Sequence, residues 1–392
     1  MGSIALGVSF TGCKEKPGTP EEPTSDERIE ALAMNETWKN YLVAASSELY
    51  NDCVKLWAAW AGPDALSAEE TAIVGEGFFG TASDYSLANG YAYQVKNPGE
   101  SNINYKSATA AIEATIIQGS VDIAGEVGPQ KIGTPNSYAK AGDLQQAVLE
   151  VESWYSWNSI KDYSDNIISI RSSYFGGRGN TSANGKSLSD FVKKFDAALD
   201  TEITNAINNA YTSIVSMDAP FRNNLVGSKV DAAITACADL EEVYSKKLLP
   251  LLEKEGGNYD FLPVLQAYAD DVVVATYKDM KDKAKALKES IETFYADPTN
   301  QSKLDAACEA WRATRIPWEE SEAFLIGPAD KLGLDPSLDS WPLDQQDILT
   351  ILQDDKLTTV DQLKSAIQSE SVRGFHTIEL LLFKDGKNRT AK

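Results

Sequence analysis

Apolar side chains recur at steps of three or four residues over residues 188–214, and this spacing constrains the fold more than any other feature of the chain. The residues on this stripe are Leu188, Phe191, Phe195, Leu199, Ile203, Ile207, Tyr211 and Ile214. A period near 3.6 residues predicts an α-helix with one apolar face packed against a core. Ser187 offers a hydroxyl N-cap, Asp190 places an acid in the first turn, and Pro220 lies beyond the end.

Helical periodicity also dominates the rest of the chain. Similar patterns run over residues 27–60, 105–118, 142–173, 228–254, 262–296, 299–325, 358–370 and 372–383. Convincing alternation of apolar and polar residues, which would indicate strands, is absent from the sequence. The sequence therefore predicts an all-α fold class in which the helices pack as two bundle subdomains.

The length of the chain bears on its division into domains. A chain of 392 residues is too long for one compact core. The clearest internal break is the glycine- and asparagine-rich stretch at residues 256–263. We therefore expect residues 1–26 to be a signal remnant and flexible tether, residues 27–255 a first helical bundle, and residues 256–392 a second.

The first residues carry a candidate lipidation site. Residues 1–13 are small and apolar and end in Thr-Gly-Cys13, which resembles the end of a bacterial lipoprotein signal peptide. A proline-rich polar stretch follows, and it cannot bury a core. A lipid on Cys13 would place the protein in the cell envelope, held to the outer membrane on its periplasmic or surface face. The alternative is a disordered N-terminus with a chance cysteine.

The charge of the chain limits its partners. The sequence holds 58 acidic and 36 basic residues, a formal net charge of −22. This charge disfavours nucleic acid and anionic membrane surfaces as partners and is compatible with cations. A metal ion or a small ligand is therefore the expected partner, and nucleic acid is not.

The sequence contains a single histidine, His376. One histidine excludes a zinc site with two histidines from this chain, so the His-Glu-x-x-His class of protease is impossible. Glu379 lies three residues further on, which is one helical face, and both residues sit in the apolar run of residues 375–383. A buried carboxylate needs a partner, and His376 is the obvious neighbour.

Two interpretations of this pair remain open. It is either a core histidine that is hydrogen-bonded to its helical neighbour, or half of a metal site completed by carboxylates from facing helices. One imidazole with two or three carboxylates suits iron, manganese or zinc. Gly374 permits an unusual dihedral or a close backbone approach just before the histidine.

A second unusual stretch spans residues 311–328. Glu319 and Glu322 are three residues apart beside Trp318, so a helix would present both carboxylates on one face. Pro317 fits a helix start or a kink. The alternative interpretation is a solvated acidic face with surface glutamates.

These stretches together resemble the imelysin family, also called the insulin-cleaving metallopeptidase-like or iron-regulated protein A family. The matching motifs are Gly374-Phe-His-Thr-Ile-Glu-Leu-Leu-Leu-Phe383, Ala313-Thr-Arg-Ile-Pro-Trp-Glu-Glu-Ser-Glu-Ala-Phe-Leu-Ile-Gly-Pro328 and Trp341-Pro-Leu-Asp344. Three motifs in the right order over residues 300–385 are far more specific than the His-x-x-Glu pair alone.

The resemblance implies an envelope protein of two helical bundles with the His-x-x-Glu pair near their interface. Members are linked to iron uptake or classed as metallopeptidases. By resemblance, His376 and Glu379 carry the site, and Glu319, Glu322 and Asp165 are weaker assignments. Trp318, Arg312 and Arg315 would shape the site or pair with it.

Residues 162–176 resemble a Ser-Asp-Asn segment that follows the histidine motif in many members of the family. Here the segment precedes that motif. The simplest account is a circular permutation, which is tolerated when the termini lie close together at a domain surface.

Three functions follow as hypotheses. The first is a lipoprotein that binds iron or another metal, or a metal-linked ligand, together with iron-transport components. The second is a metallopeptidase, in which Glu319 or Glu322 would have to act as the base because the His376–Glu379 pair would be consumed as ligands. The third is a bundle in which the histidine pair is only structural.

Overall fold

The computed structural model describes residues 25–80 and 87–392, and in these ranges the predicted all-α fold is confirmed. Cys13 lies outside the described residues, so its lipidation stays a prediction. The strands of the described part are β1, Phe383–Lys384, and β2, Lys387–Asn388, which pair antiparallel as a short hairpin.

The α-helices of the described residues, in chain order, have the following bounds. They are α1 Ser25–Ala31, α2 Glu36–Ala61, α3 Ala68–Val74, α4 Tyr91–Lys96, α5 Ala108–Ile112, α6 Gln118–Gly125, α7 Gly133–Lys140, α8 Leu144–Leu149, α9 Ser159–Phe175, α10 Leu188–Phe195, α11 Ala197–Val215, α12 Ser228–Val243, α13 Leu249–Glu255, α14 Leu262–Ala267, α15 Ala275–Tyr295, α16 Gln301–Glu319, α17 Pro328–Lys331, α18 Leu334–Asp339, α19 Gln345–Gln353, α20 Val360–Ala366 and α21 Phe375–Leu382.

Some helices run into tighter or wider turns. The π-helical segments are Glu113–Ile117, Glu126–Ile132, Tyr244–Leu248 and Tyr268–Val274. The 3-10 turns are Pro63–Ala65, Phe221–Asn223, Gly256–Asn258, Glu322–Phe324 and Glu370–Val372. Such π segments are rare in proteins as a whole, and those that occur are often located at functional sites.

Helix α2 is apolar and buried on nearly every side, as expected for a helix in the centre of a bundle. It packs along α15 and against α20 and α21, and α15 packs along α16. The Trp38 indole donates a hydrogen bond to the carbonyl oxygen of Leu381 at 3.1 Å, and the Trp311 indole donates one to Phe375 at 3.0 Å. These contacts fix α21 between α2 and α16.

A second group of helices contains α6, α9, α11 and α12. Helix α9 joins the two groups, because it contacts α11 on one side and α16 on the other. The predicted division of the chain after residue 255 stays a prediction; α2 and α15, which lie on opposite sides of it in sequence, pack closely in the structure. The predicted circular permutation also stays a prediction.

The stripe at residues 188–214 forms two helices, so the expectation of a single helix is wrong. The predicted N-cap is confirmed, since the Ser187 hydroxyl accepts from the Asp190 backbone and the Asp190 carboxylate accepts from Ser187. The break lies at Asp196, whose φ of −151° and ψ of 89° are not helical. Its carboxylate caps α11 by accepting from the backbone nitrogens of Ala198 and Leu199.

Among residues 25–80 and 87–392, no helix has the length and apolar character that a membrane crossing requires.

Candidate metal centre

The predicted histidine pair lies in the first turns of α21, and a glycine sets the start of that helix. Gly374 has a φ of +85°, a left-handed conformation that favours glycine. A Cβ atom at this position would lie 2.4 Å from the carbonyl oxygen of Leu338 and 2.9 Å from that of Ser337. The close approach of α21 to α18 therefore depends on this glycine. His376 and Glu379, which lie on α21, are completely buried.

The two imidazole nitrogens of His376 have different surroundings. Nδ1 is hydrogen-bonded to the Glu379 carboxylate at 2.9 Å. Nε2 lies 3.1 Å from Asp339 Oδ1 and 3.5 Å from Glu152 Oε1, yet it forms no hydrogen bond with either. The Trp341 ring packs edge-on against the imidazole, with 4.8 Å between ring centroids.

Glu379 is held in turn by the loop before α9. One of its carboxylate oxygens accepts hydrogen bonds from the Ser156 backbone nitrogen at 2.8 Å and from the Ser156 hydroxyl at 2.7 Å. The other oxygen accepts from the imidazole. The carboxylate that orients the histidine is thus itself fixed from two sides, as is usual for the supporting partner of a metal-binding histidine.

Arg315, on α16, is the central cation of the cluster and is completely buried. Its Nη2 lies 2.9 Å from Glu152 Oε1 and 2.5 Å from Glu319 Oε1, and its Nη1 contacts Asp339. Its Nε lies 3.5 Å from Asp162 Oδ2. The guanidinium therefore reaches carboxylates from α9, α16, α18 and the loop before α9, which a lysine could not do with one ammonium.

Lys131 approaches the same carboxylates from the other side. It lies on the π-helical segment Glu126–Ile132. Its Nζ is 3.1 Å from Glu152 Oε2 and 3.7 Å from both Glu322 Oε1 and Glu126 Oε1. Glu152 is therefore shared between Lys131, Arg315 and His376.

Helix α16 ends at Glu319, so Glu319 and Glu322 do not share one helical face as expected. The backbone nitrogen and hydroxyl of Ser321 both donate to the Trp318 carbonyl oxygen, which ends the helix, and Glu322 opens a 3-10 turn. Pro317 lies inside the last turn of α16 rather than at a start. Trp318 donates a hydrogen bond from its indole to Asp339 Oδ2 at 2.6 Å.

Within residues 25–80 and 87–392, two groups of side chains could hold a metal ion. Glu152, Asp339 and His376 form the first, and Glu319, Glu322 and Asp339 form the second, each with one ligand atom per residue within 4.8 Å of the others. Asp339 belongs to both groups, so it connects Glu319 and Glu322 to the group that contains the histidine. Imidazole with carboxylates suits a hard or borderline divalent ion.

Three of the candidate ligands, Glu152, Glu322 and Asp339, line a cleft of about 520 Å³, whereas His376 and Glu319 lie behind them. Trp341 also lines this cleft. Further carboxylates of Asp122, Glu126, Glu150 and Asp335 line it. The cleft gives an ion or a small cationic ligand a route to the buried cluster.

Burial and the neighbouring cations shift the pKa values of the carboxyl groups in the cluster in opposite directions. Burial raises the pKa of Glu319 well above its usual range, although Arg315 opposes the shift. Burial likewise raises the pKa of Glu322 against Lys131. Burial would also raise the pKa of Glu152, but Lys131, His376 and Arg315 together hold it well below its usual range. Negative charge is therefore concentrated at Glu152, beside the imidazole.

The same charges act on the imidazole. Burial alone would lower the pKa of His376, but Asp339, Glu152 and Glu379 outweigh burial and the repulsion from Arg315, and the pKa is raised to about 9. The folded pKa lies above the unfolded value of about 6.5. Stability from this group is therefore present below about pH 6.5 and is lost as the pH rises through about 9.

We expect the imidazole to remain protonated at neutral pH in the metal-free protein and to titrate near pH 9. The chain has one histidine, so the two imidazole C–H resonances in the proton NMR spectrum of tag-free protein report this titration without a variant. The unfolding free energy should fall over the same interval. A midpoint at or below 6.5 contradicts this electrostatic account.

The structure brings most of the predicted residues together, but not all. Arg312 lies away from the cluster, where its side chain packs over the Phe383 ring and lies 3.9 Å from Glu309. Asp165 is buried and paired with Lys161 on α9, and burial raises its pKa to about 7 against that lysine. The residue of α9 that contacts Arg315 is Asp162, one turn earlier.

Sequence reasoning missed Glu152, Asp339 and Lys131 as members of the cluster. Asp339 lies two residues before the Trp341-Pro-Leu-Asp344 motif, and Glu152 lies ten residues before Asp162, so both flank stretches that carry the family resemblance. Lys131 is carried by the π-helical segment, and no periodicity in the sequence signals that turn.

Comparison with known proteins identifies the family. The family model "Peptidase_M75: Imelysin" matches residues 17–246 and 273–392. A crystal structure of an imelysin peptidase from Bacteroides ovatus superposes with a TM-score of 0.78 at 37% identity, over 91% of this chain and 97% of that one.

A curated relative, "Iron-regulated protein A" from Synechococcus elongatus, is 38% identical over 119 residues. The match covers 30% of this chain and 31% of the relative, so the chain spans about a third of the length of the curated protein that it matches. The family match covers most of the chain, and the superposition extends over nearly all of it. The chain belongs to the imelysin family.

Proposed function

We propose that this protein binds a divalent metal ion, with iron as the favoured ion, through Glu152, Asp339 and His376. The observation that carries the proposal is the Nε2 atom of His376, which is completely buried and lies 3.1 Å from Asp339 Oδ1 and 3.5 Å from Glu152 Oε1 without hydrogen-bond geometry to either. An imidazole nitrogen that meets two carboxylate oxygens at these distances can share a divalent ion with them once its proton has left.

The residues present fit such an ion. The Glu379 hydrogen bond to Nδ1 fixes the imidazole orientation, so that Nε2 faces Asp339 and Glu152. Both carboxylates line the cleft, through which an ion would enter. A bound ion would supply a Lewis-acid centre beside the cleft. Since the imidazole of the metal-free protein is protonated at neutral pH, binding would release a proton, and metal affinity should increase with pH.

The setting that we propose is an iron-uptake role in the cell envelope, with the protein anchored by a lipid on Cys13 and working with iron-transport components. The name of the Synechococcus relative supports a link to iron. The resemblance of residues 1–13 to a lipoprotein signal supports the envelope. Oxygen ligands with one imidazole are also compatible with manganese and zinc.

Replacement of His376 with alanine should weaken binding of Zn²⁺, Mn²⁺ and Fe²⁺ by about 100-fold or more, because it removes the only imidazole ligand. Titration calorimetry on purified protein, with anaerobic handling for Fe²⁺, measures the change. Asp165→Asn is the matched control, since Asp165 is a buried acid outside the cluster. Equal metal binding by wild type and His376→Ala contradicts the proposed site.

A metallopeptidase is the second candidate. The similar crystal structure is described as an imelysin peptidase, and the cleft is lined by two of the three proposed ligands, Glu152 and Asp339. With Glu152, Asp339 and His376 as ligands, Glu322 remains on the cleft as the base, and burial raises its pKa above the usual range, which makes it a stronger base. Incubation with unfolded protein, with and without chelator, tests it. Cleavage no higher than that of the His376→Ala variant rejects it.

A purely structural cluster is the third candidate, and Arg315 is the observation that favours it. The guanidinium already contacts Glu152, Glu319 and Asp339 and so balances part of their charge. If neither the wild type nor His376→Ala binds any of the three ions, the cluster serves to hold the helices together.

A further inference from the structure

Lys131 is the only lysine, arginine or histidine among the described residues that line the cleft. The rest of its polar floor and rim is dominated by carboxylates. Lys131 lies between the two candidate ligand groups, since it contacts Glu152 of the first and Glu322 of the second. Its ammonium is therefore the local counter-charge at the point where a metal ion would arrive from the cleft.

The two cations of the cluster are held in different ways. Arg315 is completely enclosed and reaches carboxylates in several directions with a rigid fork. Lys131 lies on the cleft side at 3.1–3.7 Å from its partners and makes no side-chain hydrogen bond with Glu126, Glu152 or Glu322. An ammonium on a flexible four-carbon stem, held only as a point charge, can leave such a place by rotation of its side chain.

We propose that Lys131 is a tethered competitor of the metal ion: its ammonium occupies the carboxylates of the empty site and moves out into the cleft when a divalent ion binds. This inference rests on the proposed metal-binding function. The imidazole proton and the Lys131 ammonium both leave the carboxylates as the divalent ion arrives, so two positive charges replace two, whereas a monovalent ion would leave the carboxylates one positive charge short. Lys131 thereby sets the affinity of the site and restricts it to multivalent ions.

Removal of the competitor should tighten binding. Lys131→Met should lower the dissociation constant for Zn²⁺ by about tenfold or more, because the ion no longer displaces a charge. Lys281→Met is the matched control. Lys281 is as deeply buried as Lys131 and is paired with Glu70, away from the cleft. Its replacement should leave Zn²⁺ affinity unchanged.

A second measurement uses the wild-type protein and does not depend on the folding of the variant. Lys131 has 12% of its side chain exposed, so it should react slowly with an acetylating amine reagent. Saturation with Zn²⁺ should increase its acetylation, measured by mass spectrometry of the peptide that contains it, and the reactivity of Lys281 should stay constant. Addition of chelator should reverse the increase.

The outcomes separate the inference from the proposed function. Binding of Zn²⁺ by the wild type, with equal or weaker binding by Lys131→Met, overturns the inference and leaves the metal site in place. Zn²⁺ binding without any change in Lys131 acetylation also overturns it. Absence of Zn²⁺ binding by the wild type and by Lys131→Met overturns both.

Discussion

Replacement of Arg315 with methionine should lower the free energy of unfolding by about 3–5 kcal/mol, because it leaves buried carboxylates without their counter-charge. Methionine keeps much of the length and apolar character of the stem, so the loss comes from charge rather than from a cavity. Glu152, Glu319 and Asp339 would lose their closest cation together. Urea unfolding followed by circular dichroism measures the change.

Arg312 provides the matched control for this variant. It lies three residues earlier on α16 with 29% of its side chain exposed and a long, exposed ion pair of 3.9 Å with Glu309, so Arg312→Met should cost less than about 1 kcal/mol. Lower pH should partly rescue Arg315→Met, since the unpaired carboxylates take up protons in the folded state and folding then binds protons. Equal destabilisation by both variants would contradict a central role for the Arg315 charge.

Replacement of Gly374 with alanine should cost about 3–5 kcal/mol, because it adds backbone strain at a φ of +85° to a collision with α18. The atoms that a Cβ would meet are backbone carbonyls of Leu338 and Ser337, which cannot rotate away. Relief requires the start of α21 to move, and His376 would move with it. Unfolding and Zn²⁺ titration should therefore both be affected.

The variant Gly333→Ala measures the backbone strain without the collision. The φ of Gly333 is +61°, but no atom lies within 4 Å of a Cβ built there, so Gly333→Ala should cost only about 1 kcal/mol of backbone strain. It should leave Zn²⁺ affinity unchanged. If Gly374→Ala costs no more than Gly333→Ala, the contact between α21 and α18 is looser than described.

The all-α class followed directly from the sequence, because a period of 3.6 residues is visible wherever one helix face is buried. Helix ends were harder to predict. The apolar spacing at residues 188–214 continues without a shift across Asp196. The backbone leaves the helical conformation at Asp196, whose carboxylate caps α11. A side chain that can either continue a helix or cap one leaves both outcomes open in the sequence.

The candidate site was predictable where its residues are close in sequence. The His376–Glu379 hydrogen bond follows from a spacing of three on a helix. Glu152, Lys131 and Asp339 come from a loop, a π-helical segment and the end of α18, so only the tertiary fold brings them to the histidine. Arg312 and Arg315 also have a spacing of three on α16, yet only Arg315 reaches the cluster, while Arg312 packs over the Phe383 ring.

The packing of α2 against α21 also has a consequence for synthesis of the protein. Trp38 and its hydrogen-bond acceptor Leu381 are 343 residues apart in sequence. At the usual speed of translation, α21 is synthesised roughly 20–70 s after α2, which it partly covers in the folded protein. Throughout that interval the side of α2 that packs against α21 is uncovered, so it is accessible to chaperones and proteases until α21 has left the ribosome.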